Sequence, residues 1–200
     1  MNKSDLFSYL SAFVTIVLAV ALTDLVQSTH RLIRARDRIK WDVLPLIAAA
    51  FVYLTVLSEF FSLWDQIRVE RFTFYGLVWL MTVPTLVTFA AFAVLPDEVP
   101  ERGLDLTNFY FANRRYLVAL IALMMIGDMA RNVIWLGRHG YLDDPRVWQW
   151  WIPMLSATAG SLAIMWFATT RRMQLLGVAA LLILGNIGYF RWAIDVVPKQ

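Results

Sequence analysis

The sequence contains no cysteine, only two histidines and only three lysines. Without thiols the chain can hold no disulfide, thiolate nucleophile, Fe–S cluster or Cys-ligated zinc, and its redox compartment cannot be read. His30 and His139 both fall in polar segments, which leaves no imidazole pair to hold a haem at membrane depth. Lys3, Lys40 and Lys199 lie outside the apolar runs, so no lysine is placed for a Schiff base inside a helix bundle. Charge is scarce as well: charged residues are 16 % of the 200 and hydrophobic residues 60 %, whereas soluble domains run about a quarter charged and about half apolar. The HExxH, GxSxG, Walker A and GxGxxG patterns are absent. We therefore name no catalytic residue, metal ligand or cofactor, and the question of enzyme activity stays open.

What is present is apolar surface beyond anything a soluble globule of this size can bury, and the fold class follows: an all-α integral membrane protein. A spanning helix needs about 20 apolar residues. Residues 6–23 are uncharged, and the run continues as helix past Asp24. A second run starts near Trp41, carries Glu59 and ends near Trp64. A third is uncharged from Phe72 to Pro96. The fourth extends from Tyr116 to Leu136, interrupted by Asp128 and Arg131. The fifth covers Val147–Thr170 and the sixth Met173–Phe190. This gives six transmembrane helices in a single domain over 1–200. The Ala-Val-Ala at 19–21 resembles a signal-peptidase site, but the apolar stretch is longer than a usual signal core and the preceding segment is weakly basic, so the first run is expected to stay.

Six spans put both termini on one side. The connection HRLIRARDRIK after the first run is the densest basic segment, and the positive-inside rule then places both termini outside. Arg31, Arg34, Arg36, Arg38 and Lys40 in this segment are expected to contact anionic headgroups. The net charge of +3 sits at run ends, which fits topology signals and lipid rather than nucleic acid. Tryptophans cluster at run ends, as an interfacial belt does.

The two halves, 1–96 and 105–200, show a weak internal similarity. ALTDLVQSTHRLIR from Ala21 parallels MIGDMARNVIWLGR from Met125, matching Asp24 to Asp128 and Arg34 to Arg138. RFTFYG from Arg71 parallels RMQLLG from Arg172, and in that register Pro84 faces Gly185, both helix-weakening residues. A duplicated three-span half must insert upside down, which suggests a 3+3 inverted repeat with a polar site at the interface of its halves.

Charge at membrane depth costs at least about 2.5–3.5 kcal/mol per group on insertion scales. The candidates for an ion- or ligand-binding site are Asp128, Arg131, Glu59, Asn186, Arg191 and Asp24. Asp128 and Arg131 share a helix face and can pair. Glu59, Asp128, Arg131, Asn186 and Arg191 are expected to line one polar cavity toward the outer side. Asp24 is expected to pair with Arg31 or another arginine. The small residues Ala157, Ala159, Gly160 and Ser161 suit helix packing, including that of a homo-oligomer.

VALTD, the RLIRARDRIKWDVLP that follows, and NRRYLVAL before the fourth span resemble a loose group of small bacterial multi-pass inner-membrane proteins without an assigned activity. The resemblance implies a bacterial inner membrane and six spans, and it transfers no functional residue. Three functions remain open: a transporter or permeation protein for an ion or small solute, a non-transporting module (sensor, assembly factor or subunit of a larger membrane complex), and, more weakly, an enzyme acting on lipid.

Overall fold

The computed structural model describes residues 3–66, 74–138 and 140–195, so Arg68, Arg71, His139 and Lys199 lie outside the described residues. The fold is all-α, with six helices: α1 (Lys3–Arg34), α2 (Val43–Gln66), α3 (Phe74–Val94), α4 (Leu106–Arg138), α5 (Pro145–Phe167) and α6 (Arg171–Asp195). Four of them contain stretches long and apolar enough to cross a membrane: Ser8–Arg34, Val43–Ser62, Leu106–Ile134 and Pro145–Phe167. Leu80–Val94 of α3 adds a shorter apolar stretch.

Local chemistry sets the helix starts. Asp42 caps α2 by accepting the Leu44 amide at 2.8 Å, and Pro45 falls in the first turn, where its missing N–H costs nothing. Asp105 caps α4 through the amides of Thr107 and Asn108 at 2.9 and 3.2 Å. Asp144 caps α5 through the Arg146 amide at 2.9 Å, with Pro145 as the first helical residue, a combination that pre-sets the helical φ.

Two elements differ from the sequence expectation. The fourth helix begins ten residues before Tyr116, at Leu106, because the Asp105 cap starts it and no proline or glycine interrupts FYFANRRY. The basic segment, whose pattern of Leu25, Leu32, Ile33 and Ile39 among arginines predicts a helix leaving the bilayer and lying on headgroups, does not continue as one helix. A 3₁₀ turn at Arg36–Arg38 ends the helical chain and leads into a strand, β1 (Ile39–Lys40), which pairs in parallel with β2 (Leu104–Asp105). Gly103 makes that pairing feasible. Its φ is +86°, and a Cβ there would lie 2.7 Å from the Arg38 carbonyl oxygen.

The parallel pair holds the starts of α2 and α4 side by side, and Arg171 at the start of α6 reaches Asp42 at the start of α2. The N-termini of α2, α4 and α6 therefore share one end of the bundle, the basic end. This is the alternating up-and-down course expected from the sequence. α3 lies between α1, α2 and α4, and α2 also packs on α6, which in turn carries α5. Thr88 on α3 donates to its own helix at Pro84 (2.8 Å) and, more weakly, to the Val17 carbonyl of α1 (3.3 Å). Gly185 lets α6 approach Phe51 of α2, whose ring would be 3.3 Å from a Cβ at that position. The core is made of small and branched side chains, among them Val14, Leu18, Ala21, Ala48, Val52, Val87, Ala90 and Leu117. The outward surface is apolar too: Tyr9, Ile16, Phe167, Leu176 and Ile183 are each more than 60 % exposed. Such a surface is consistent with a membrane location, where lipid takes the place of water.

The packing does not follow the two-fold pattern that the internal similarity suggests. α1 packs along α3, yet among the described residues the corresponding helices α4 and α6 make no comparable contact, and α3–α4 has no α6–α1 counterpart. The small residues of α5 also divide. Ser161 is buried against α6, whereas Ala157, Ala159 and Gly160 face outward.

Candidate functional site

Polar side chains concentrate at two levels of the bundle. The first is the basic end. The Asp42 side chain is 7 % exposed and accepts from Arg171 Nε at 2.8 Å, Thr107 Oγ1 at 2.7 Å and its own helix. Burial alone pushes this carboxyl up, but the Leu44 amide, the Thr107 hydroxyl and the Arg171 guanidinium outweigh it and hold Asp42 below its ordinary value. Beside it, the Lys40 ammonium meets Asp105 at 2.8 Å. Their hydrogen bond raises the lysine and lowers the aspartate. Deeper, Gln174 is fully buried. Its amide donates to the carbonyls of Met165 (2.9 Å) and Ala168 (2.6 Å), and its oxygen accepts from the Tyr110 hydroxyl at 3.0 Å. Arg114, 9 % exposed, donates to the Ala168 carbonyl at 2.7 Å and lies over the Phe111 ring. This network ties the α5–α6 turn to α4 and α2. Among the described residues none of its buried side-chain polar atoms lacks a partner, the condition under which a buried polar cluster rigidifies rather than destabilises. Sequence reasoning missed it. Asp42, just ahead of the second apolar run, and Asp105, two and three residues before Thr107 and Asn108, were the available signal.

The second level lies farther along the bundle, within the apolar stretches of α2 and α4. Glu59 on α2 is 9 % exposed, in a helix whose inward face is otherwise Phe51, Val52 and Val56. The Ser62 hydroxyl donates to the Glu59 carbonyl at 2.8 Å and approaches its carboxylate at 3.5 Å. Asp128 on α4 is half-buried, with Oδ1 inside the protein. Measured along their helices from the basic end, Glu59 lies about 25 Å and Asp128 about 34 Å up, toward the opposite end. Asn186 and Arg191 belong to α6 and Arg131 to α4. The side chains of these three are outside the described residues, so the expected Asp128–Arg131 pair and the five-residue cavity are expectations on residues of which two, Glu59 and Asp128, are seen to have buried polar atoms. Pro84 is buried within α3.

Asp24 departs from its expected pairing. Arg31, two turns on, donates instead to the carbonyls of Gln27 (3.3 Å) and Asp97, and among the described residues no ion pair reaches Asp24. Its Oδ2 and the hydroxyl of Ser28 are buried without a hydrogen-bond partner. Of the basic segment, Arg34, Arg36, Arg38 and Lys40 point outward, while Leu25, Leu32 and Ile39 between them are buried in the protein's own core. Two open hollows flank the bundle. One is apolar, at the start of α5 between Pro145, Trp148 and Ile152; the other is polar, between Arg38, Lys40 and Arg102. Among the described residues no group of acidic or histidine side chains is arranged to hold a metal ion. The chain matches no protein-family model, no curated protein and no solved structure.

Proposed function

We propose that this chain is a six-span protein of a bacterial inner membrane, with both termini outside, that moves an ion or small solute past polar groups between its helices. The observation that carries this reading is a set of carboxylates inside apolar helices: buried Glu59 and the buried Oδ1 of Asp128 in the half away from the basic end, and the buried Oδ2 of Asp24 nearer to it. An ionisable group kept inside a bundle at such cost is read by default as part of an ion or substrate path. A purely structural role calls for full matching, as Asp42 and Gln174 achieve at the basic end; Asp24 Oδ2 lacks it. The pathway does not need two symmetric halves.

Two other observations support a second reading, a non-transporting module within a larger membrane complex. The matched network at the basic end makes a rigid platform, and α5 turns Ile152, Met154 and Phe167 outward, a face that a neighbouring membrane helix could cover. Proton and cation flux in proteoliposomes separates the two. Transport requires flux in the wild type and its loss in Asp128→Asn, with the variant still monodisperse on gel filtration. Absence of flux in both, with an aggregated variant, would make Asp128 a structural residue and leave the module reading.

A further inference from the structure

Two of the described buried polar atoms without a hydrogen bond, Asp24 Oδ2 and Ser28 Oγ, lie one turn apart on the same face of α1. Ser28 is 0 % exposed. Residues at this spacing have Cβ atoms about 5–6 Å apart, so one small group can touch both.

What faces them follows from the register of α1 against α3. The two helices run in the same direction, and their relative height is fixed by two contacts: Thr88 on the Val17 carbonyl, and Arg31 on the Asp97 carbonyl. Counted at about 1.5 Å per residue from the Thr88–Val17 contact, Asp24 comes level with the C-terminal end of α3 near Leu95 and Ser28 with the chain just beyond it. The final carbonyls of a helix have no intrahelical donor, and Pro96 brings no N–H to meet them. The polar groups available at this level are thus the Asp24 carboxylate, the Ser28 hydroxyl and the helix-end carbonyls, all oxygen donors.

The charge is also one-sided. Arg31 is engaged with the Gln27 and Asp97 carbonyls and among the described residues no ion pair reaches Asp24, which leaves that one carboxylate uncompensated by contact. The C-terminal pole of α3 adds to it. This excludes an anion. A single uncompensated charge suits a monovalent rather than a divalent cation, and hard oxygen donors suit a hard one. Carbonyls at a helix C-terminal end inside a membrane bundle are a known mode of holding such ions.

We propose that Asp24, Ser28 and the last turn of α3 bind one monovalent cation of the sodium class. The site deepens the transport reading, and its place on a permeation path rests on that reading; binding itself does not.

The test uses the full chain in detergent, with thermal unfolding in NaCl against choline chloride at equal ionic strength, and direct binding of radioactive Na⁺. The expected result is a higher Tm in NaCl and saturable binding of one Na⁺ per chain, both abolished in Asp24→Asn. Ser28→Ala should weaken Na⁺ binding roughly tenfold, the loss of one ligand to a charged group. Its Tm in choline chloride should equal or exceed that of the wild type, because an unmatched buried hydroxyl is removed. If Asp24→Asn fails to fold, Ser28→Ala decides alone. The proposal is overturned if the wild type does not distinguish the two salts, or if the Na⁺ effect survives both substitutions. It is also overturned if Ser28→Ala loses the same stability in either salt, the behaviour of a hydroxyl holding water. Flux in proteoliposomes is scored separately. Na⁺ binding without flux upholds the site and removes the transport reading, whereas flux without Na⁺ binding removes the site and upholds transport.

Discussion

Replacing Asp42 by alanine should be among the most damaging single changes at the basic end, and its cost can be worked from three contacts. The carboxylate caps α2, a role worth about 1 kcal/mol. It accepts the Thr107 hydroxyl at 2.7 Å, a bond to an ionised group worth about 1.5 kcal/mol. It pairs with Arg171, whose side chain is 53 % exposed, so screening limits that part to at most about 1 kcal/mol. Asp42→Ala should therefore lose about 3 kcal/mol, and Arg171→Ala no more than about 1 kcal/mol, because Asp42 keeps its other two donors. Equilibrium unfolding in mixed detergent micelles measures both. The pH dependence has a definite sign. Asp42 is held below its unfolded value of 3.8, so its contribution is complete above that pH and disappears as pH falls through the lower, folded value. Asp42→Asn should flatten this acid limb. An Asp42→Ala variant within about 0.5 kcal/mol of the wild type, the scatter of ordinary surface substitutions, would refute the reasoning that this network holds three helix starts together.

The remaining predictions concern backbone approach and buried polar groups. At Gly177 a Cβ would lie 2.8 Å from Met165 Cγ and 3.2 Å from the Ser161 carbonyl. Since the backbone oxygen cannot yield as a side chain can, Gly177→Ala should cost about 1–3 kcal/mol in unfolding experiments and loosen the α5–α6 pair. Gly103→Ala should cost more than Gly140→Ala. Both have positive φ, but only Gly103 would also collide with another backbone, at Arg38; Gly140→Ala carries the left-handed penalty of about 1 kcal/mol alone. Tyr110→Phe would strand the Gln174 oxygen and should destabilise by about 1–2 kcal/mol in the same assay.

The sequence made the architecture legible where the physics is one-dimensional. Long uncharged runs imply helices, and the fifth run, read from Val147, lies within α5, which the Asp144 cap and Pro145 start two residues earlier. The alternating course follows from the order of the runs and is fixed in space by the Asp42–Arg171 and β1–β2 contacts. What stayed hidden is what depends on long-range pairing. Lys40 and Asp105 meet across two distant loops, and two-residue strands leave no periodicity to read. Gln174 carries no signal in the sequence beyond a polar residue near a helix start, and only the turn of the chain at Ala168 reveals its three partners. The internal similarity does not carry into the helix contacts for a related reason: α1 packs along α3 in a core of small and branched side chains that includes Val14, Leu18, Val87 and Ala90, which a match of charged residues at helix ends does not record. Of the candidate site, Glu59, Asp128 and Asp24 were identifiable from charge in an apolar run, whereas Ser28 was not, because a serine signals a site only when its hydroxyl is seen to be buried and unmatched.

The central claim, that carboxylates inside the bundle mark a path, is tested most directly by cation and proton flux through proteoliposomes carrying wild type, Glu59→Gln or Asp128→Asn at equal protein density. The account predicts measurable flux in the wild type and at least about a tenfold reduction in each neutralised variant, corresponding to about 1.4 kcal/mol or more at the barrier, with both variants still monodisperse. Wild-type vesicles no leakier than empty ones, or folded variants that conduct as well as the wild type, would contradict it.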